Sequence, residues 1–181
     1  MLKKVLFTAI ILLATVSAKA QFVLTPDGLI NSKSPDNNYV TYEFKDKSQQ
    51  ELFDAAMSYL FSLYVNPDAV LSSSKPHSIT INAISTNAAQ IQKRLFADIA
   101  YTISIQIKDH KIRINTPYIV SITHGSSKYF IKGYTMFGNC VYSNKGKLIN
   151  ELAKQSIELF FNNYIADLYK GITNNINGDN W

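Results

Sequence analysis

Over residues 95–107 every odd position is apolar (Leu95, Ala97, Ile99, Tyr101, Ile103, Ile105, Ile107), while Asp98, Ala100, Thr102, Ser104 and Gln106 between them are polar or small. Phe96 is the exception. This alternation predicts a long strand with one buried face and one wetter face. The residues that follow name its partner. With Asp109-His110 as a two-residue turn, Lys108 faces Lys111, Ile107 faces Ile112 and Ile105 faces Ile114. Both isoleucine pairs then share the buried face, as the hydrophobic pattern demands.

Helical periods flank this block. Ser48-Gln-Gln-Glu51 has the spacing of a capping box, in which Ser and Glu satisfy backbone N–H groups at a helix start. Leu52, Phe53, Ala56, Met57, Leu60, Leu63 and Tyr64 then fall within about 140° of helical arc, and Asn66-Pro67 ends the helix. Near the C-terminus Ile149, Ala153, Ile157, Phe160, Phe161, Tyr164 and Leu168 fall within about 120°, with Glu151, Gln155, Glu158 and Asn162 opposite. That predicts a second helix of about 22 residues, roughly 33 Å long.

Shorter β-prone runs lie at 39–44, 69–72 and 78–83. Between 116 and 147 the pattern is weakest: 118–122 and 129–136 are β-prone, split by His124-Gly-Ser-Ser127. Residues 21–38, with Pro26, Gly28 and Pro35, are expected to be an irregular leader, and the Asn/Gly-rich 172–181 a frayed polar tail. The order of strand, helix, several antiparallel strands and long C-terminal helix predicts one α+β domain over 39–171, its helices packed on one face of the sheet.

The N-terminus changes the picture. Lys3 and Lys4 precede an apolar run over 5–16, and Ala18-Lys19-Ala20 is a small-x-small cleavage site, so residues 1–20 are expected to be a cleaved export signal. The run is too short to span a bilayer, which takes about 20 residues. The expected location is periplasmic or secreted. Removing Lys3, Lys4 and Lys19 lowers the formal charge of the chain from +5 to +2. With only Lys93-Arg94 adjacent in what remains, nucleic acid is not an expected partner. A single cysteine, Cys140, excludes an internal disulfide. No later apolar stretch reaches membrane-spanning length, so the protein is not expected to cross a membrane.

Chemistry is sparse. His77, His110 and His124 stand apart from one another and from any cysteine pair, so no spaced metal-ligand set, cofactor motif or catalytic set is expected. His77 follows Pro76 and His110 sits in the turn, which suits solvated loop residues. His124-Gly125-Ser126-Ser127 puts a base beside hydroxyls, but no Gly-x-Ser-x-Gly elbow exists. Cys140 reads as a small buried hydrophobe, or as a nucleophile only if the fold brings His124 to it. Asp98 is in phase with Thr102, Ser104 and Gln106, a polar stripe on the wetter face of the long strand.

Residues 39–44, Ser48-Gln-Gln-Glu-Leu-Phe53, Pro67-Asp-Ala-Val-Leu71, and 101–113 with its Lys108-Asp109-x-Lys-x-Arg113 end resemble an uncharacterised family of exported bacterial proteins, a domain of unknown function with a TATA-binding-protein-like fold. The resemblance covers about 39–114. That family often has Lys-Asp-Gly where this chain has Lys108-Asp109-His110. The resemblance implies a curved antiparallel sheet with a first helix after strand 1 and a long C-terminal helix upon it. It implies no activity, and the name describes shape only.

The leading expectation is therefore an exported, non-enzymatic binding module for a hydrophobic small molecule held between the sheet and the final helix. The alternatives are a protein–protein interaction or assembly component of the cell envelope, docking through a sheet edge or residues 116–147, and a hydrolase using His124.

Overall fold

The computed structural model describes residues 21–134 and 139–178. The expected signal, 1–20, lies outside the described residues. In chain order the elements are β1 (Phe22–Thr25), β2 (Gly28–Asn31), β3 (Tyr39–Glu43), α1 (Gln49–Leu63), α2 (Pro67–Val70), β4 (Leu71–Ser74), β5 (Ser78–Gln92), β6 (Leu95–Lys108), β7 (Lys111–Asn115), β8 (Tyr118–His124), β9 (Ser127–Gly133), β10 (Cys140–Ser143) and α3 (Glu151–Asn177). The α+β class and the sheet with a long C-terminal helix stand.

Strand β6 organises the sheet. Along one edge it pairs with β5 from Ser78↔Gln106 to Gln92↔Leu95. Along the other it pairs first with β7, then with β8. The β6–β7 register places Lys108 opposite Lys111, Ile107 opposite Ile112 and Ile105 opposite Ile114, as the isoleucine pattern requires. His110 closes the turn at φ +63°, a left-handed conformation that costs a non-glycine residue. Beyond Asn115, Pro117 has no N–H for the ladder. The chain nonetheless continues along β6 as β8, so the sheet forks: β3 pairs with β7 at one end, and β9 and β10 extend β8 at the other. The β9–β10 pair is parallel in a sheet that is otherwise antiparallel.

Helices α1 and α3 cover one face. The expected capping box is present: the Ser48 side chain accepts from the Glu51 amide, and the Glu51 carboxylate accepts from the Ser48 amide. Beneath the helices Ile79, Ile81, Ile99, Ile103, Ile105 and Ile114 from the sheet meet Leu52, Ala56, Leu60, Ile157, Phe161 and Ile165, all fully buried. Burying each of the Leu, Ile and Phe side chains contributes roughly 1.5–3 kcal/mol.

Three expectations are corrected. Residues 21–38 are not an irregular leader: β1 and β2 form a hairpin that buries Phe22, Leu24 and Leu29. The tail is helical through Asn177, because Ile172 continues the buried stripe and is itself buried. Around 69–72 the chain forms α2 and then β4, since Pro67 at the first turn supports a helix start, and β5 runs on to Gln92 through a bulge between Ser85 and Ala89.

Candidate functional site

The residues singled out from the sequence are placed apart. His124 ends β8, exposed, with Nδ1 2.7 Å from the Phe96 carbonyl. A carbonyl only accepts, so Nδ1 carries the proton in this contact. Cys140 is buried, its Sγ 3.8 Å from the Gly133 carbonyl. His124 pairs with Ser127 of β9 and Cys140 with Phe130. The two therefore sit three residues apart along the strands and two strands apart, about 10 Å in each direction. That is beyond the hydrogen-bond reach a nucleophile–base pair needs. Ser126 lies exposed in the β8–β9 turn.

The other polar candidates hold the fold. His77 Nδ1 lies 3.1 Å from Gln49 Nε2, and because an amide nitrogen only donates, Nδ1 accepts there. Asp98 accepts from the Asn87 amide at 2.9 Å, across the bulge where Asn87 has φ +54°. Thr102 donates to Asn82 Oδ1 at 2.8 Å, so the polar stripe of β6 is knitted to β5. Among the described residues no group of three or more His, Cys, Asp or Glu is placed to hold a metal.

The layer between the sheet and α3, where an apolar ligand was expected, is occupied by aromatic side chains. The Tyr101 ring packs edge-on against Phe160, Phe161 and Tyr164 with centroids 5.6, 5.5 and 5.8 Å away. The Tyr64 and Tyr164 hydroxyls meet at 2.7 Å, and Ser85 Oγ lies 3.3 Å from the Tyr101 hydroxyl. Burial raises the pKa of both Tyr64 and Tyr164 well above the ordinary phenol value, because a phenolate there has lost its water.

Open space lies instead where β8 and β9 part. Their ladder ends at Ile122↔Tyr129, leaving residues 119–121 and 130–132 facing each other unpaired across a cleft of about 350 Å³. Ile119, Val120, Phe130 and Ile131 line it, with Lys128 and Lys132 at its rim. Val120 is 58% and Phe130 51% exposed. A neighbouring cleft of about 490 Å³ shares Ile119 and Ile131 and runs under the β1–β2 hairpin past Leu29, Tyr39, Pro117 and Tyr118. A 3.6 Å ion pair between Lys132 and Asp27 joins β9 to that hairpin. In the sequence these residues show only as β-prone runs within the candidate docking segment 116–147: Tyr118-Ile-Val-Ser-Ile122 is apolar at adjacent positions and lacks the alternation that marks a single buried face.

No protein-family model matches the chain, and none of the curated proteins does either. Among solved structures it is similar to a TBP-like protein from Parabacteroides distasonis, with a TM-score of 0.57 and 16% identity over 75% of this chain and 91% of that one. It is also similar to a DUF4468 family protein from Bacteroides ovatus, with a TM-score of 0.47 and 12% identity over 76% of this chain and 84% of that one. No helix of the described residues is long and apolar enough to cross a membrane. At 16% identity it is the fold that is shared, and that fold is TBP-like.

Proposed function

We propose that this chain is an exported binding module without catalytic activity, and that it holds an apolar small molecule in the cleft between β8 and β9. The observation that carries the reading is the splay itself. A hairpin that abandons its ladder exposes Val120 and Phe130 to water, and at about 350 Å³ the gap falls within the range of small-ligand sites. Lys128 beside the cleft favours a ligand with an apolar body and an acidic head, while Lys132 is held by Asp27. Thr116 Oγ1, buried and without a hydrogen-bond partner, lies along the neighbouring cleft, where a polar ligand group would offset its desolvation. Export rests on the N-terminal pattern of residues 1–20.

Titration with a medium-chain fatty acid, read by amide NMR, tests the binding. Shifts gathered at residues 119–122 and 129–132, lost in Phe130→Asp, are expected. A spectrum unmoved at saturating fatty acid, together with no co-purifying ligand in native mass spectrometry of host-derived protein, overturns it. Cell fractionation with N-terminal sequencing checks export, with Gln21 as the expected first residue.

The second reading, docking of an envelope protein partner, draws on the same splay, since the facing backbone edges of 119–121 and 130–132 are open to an added strand. Crosslinking in cells from a photoreactive residue at position 120 distinguishes the two: a discrete protein adduct favours docking.

A further inference from the structure

At the other fork of the sheet, three cations converge on one depression. On the face turned away from the helices the β6, β7 and β3 registers set out two rows: Lys108, Lys111 and Glu43, then Gln106, Arg113 and Thr41. Lys108, Lys111 and Arg113, with Thr41, Gln106 and Asp109, line a depression of about 450 Å³. Directly opposed positions and next-but-one positions on a strand lie about 5–7 Å apart at Cβ, so one small ligand spans all three cations.

No ion pair among the described residues holds them. The ion pairs of the described residues are Lys47–Glu51, Lys75–Asp54, Lys132–Asp27 and Lys154–Glu158, and none includes Lys108, Lys111 or Arg113. Glu43 closes the first row but makes no ion pair with Lys111. The carboxylate of Asp109 is turned to α1, where it accepts the Gln49 amide at 2.8 Å. Like charges held opposite each other across a hairpin destabilise it, and Lys108 and Lys111 face each other across a two-residue turn. Arg113 lies over the Tyr39 ring at 3.9 Å, a contact that holds the guanidinium plane in place and lowers the entropy it loses on binding. A hydroxyl and an amide flank it as neutral donors.

We infer that this depression binds a compact multiply charged phosphoryl anion, a phosphate monoester or diphosphate group borne on a small molecule or on a lipid headgroup. A single basic depression suits one such group and not a nucleic-acid track, which needs a stripe of phosphate contacts. The site lies on the β3–β7 fork, and the apolar cleft on the β8–β9 fork, so the two inferences stand or fall separately.

The test is amide NMR of the mature chain titrated with pyrophosphate, against sodium chloride at equal ionic strength. Shifts confined to Thr41, Gln106, Lys108, Lys111 and Arg113 with a Kd of about 1 mM or tighter are expected. Lys108→Ser combined with Lys111→Ser weakens binding by roughly tenfold or more while holding or raising the melting temperature, because the repulsion goes with it. Arg113→Lys keeps the charge and loses the fork, giving a smaller loss. Lys145→Ser, at an exposed lysine between β10 and α3 that does not line the depression, leaves binding unchanged. Co-sedimentation with phosphatidylcholine vesicles, with and without phosphatidic acid, identifies the source: retention on phosphatidic acid that depends on the same lysines assigns the group to a lipid headgroup. The inference is overturned if chloride reproduces the pyrophosphate shifts, if the double lysine variant binds as well as the parent, or if neither pyrophosphate nor phosphatidic acid binds.

Discussion

Asn162 stands in for a missing strand beside Phe22. Its Oδ1 accepts the Phe22 amide at 2.9 Å and its Nδ2 donates to the Phe22 carbonyl at 2.9 Å, the two bonds a neighbouring strand would have made. The same Oδ1 accepts the Gln21 amide at 2.7 Å, and Glu158 one turn earlier accepts the Leu24 amide at 2.7 Å. The free edge of β1 is thus satisfied by polar side chains of α3, on the flank that the helical pattern alone would give to solvent.

Asn162→Leu removes its three bonds to Gln21 and Phe22, as well as the one to the Glu158 carbonyl, and leaves backbone groups of a half-buried strand unpaired. At about 1–3 kcal/mol for a buried group stripped of its partner, an overall loss of about 2–4 kcal/mol is expected in urea unfolding. Hydrogen exchange distinguishes local from global effects: amides of residues 22–31 should lose protection first, ahead of β6.

How much of this was legible follows from which forces act locally. The β6 register could be read because seven alternating positions and an isoleucine-matched turn leave one solution. Helix α1 could be read because Ser48 and Glu51 are three residues apart and bond to each other. The β1–β2 hairpin could not, since each strand is four residues long and its edge partners, Asn162 and Glu158, lie more than 130 residues away. The clefts share this difficulty. The β8–β9 splay is an absence of pairing, which leaves no pattern in sequence. Lys108, Lys111 and Arg113 were visible as a hairpin end, but their want of ion pairs depends on the fold, in which the Asp109 carboxylate accepts the Gln49 amide.

Gly171 marks the close approach of α3 to α1. A Cβ there would come within 2.2 Å of the Tyr59 ring. Alanine normally gains about 1 kcal/mol over glycine inside a helix, yet Gly171→Ala is expected to destabilise by about 1–3 kcal/mol through overpacking. Tyr59→Ala in the same background should recover most of the loss. A thermal-melt double-mutant cycle checks this, and additive effects of the two substitutions would count against the contact.

Cys140 is buried within β10, and its thiol faces a backbone carbonyl instead of a base. In the native protein it should therefore react with a maleimide only as fast as the fold opens, and quickly once urea unfolds it. Non-reducing electrophoresis of oxidised protein should show monomer. Rapid labelling under native conditions would place the thiol at the surface and reopen a role for it.

The paired hydroxyls of Tyr64 and Tyr164 belong to a set of tyrosines, with Tyr42, Tyr59, Tyr129 and Tyr142, that burial holds protonated above the ordinary phenol range. The pair is expected to contribute to the loss of stability at alkaline pH. Both pKa values are raised above the unfolded value of 10.0, chiefly by burial. In the folded chain the protonated phenols persist where the unfolded chain would already have ionised. A raised folded pKa contributes stability that is intact below the unfolded pKa and disappears as pH climbs above it. Stability should accordingly be level in this respect up to about pH 10 and fall beyond it. The tyrosinate absorbance of these two residues should appear together with loss of helical circular dichroism, as one cooperative event. Tyr64→Phe keeps the ring but removes one ionisable group and one side of the 2.7 Å contact. It should lower stability at neutral pH by about 1 kcal/mol and make the decline above pH 10 shallower. A parent and variant that decline in parallel would show that the alkaline transition is governed elsewhere in the chain.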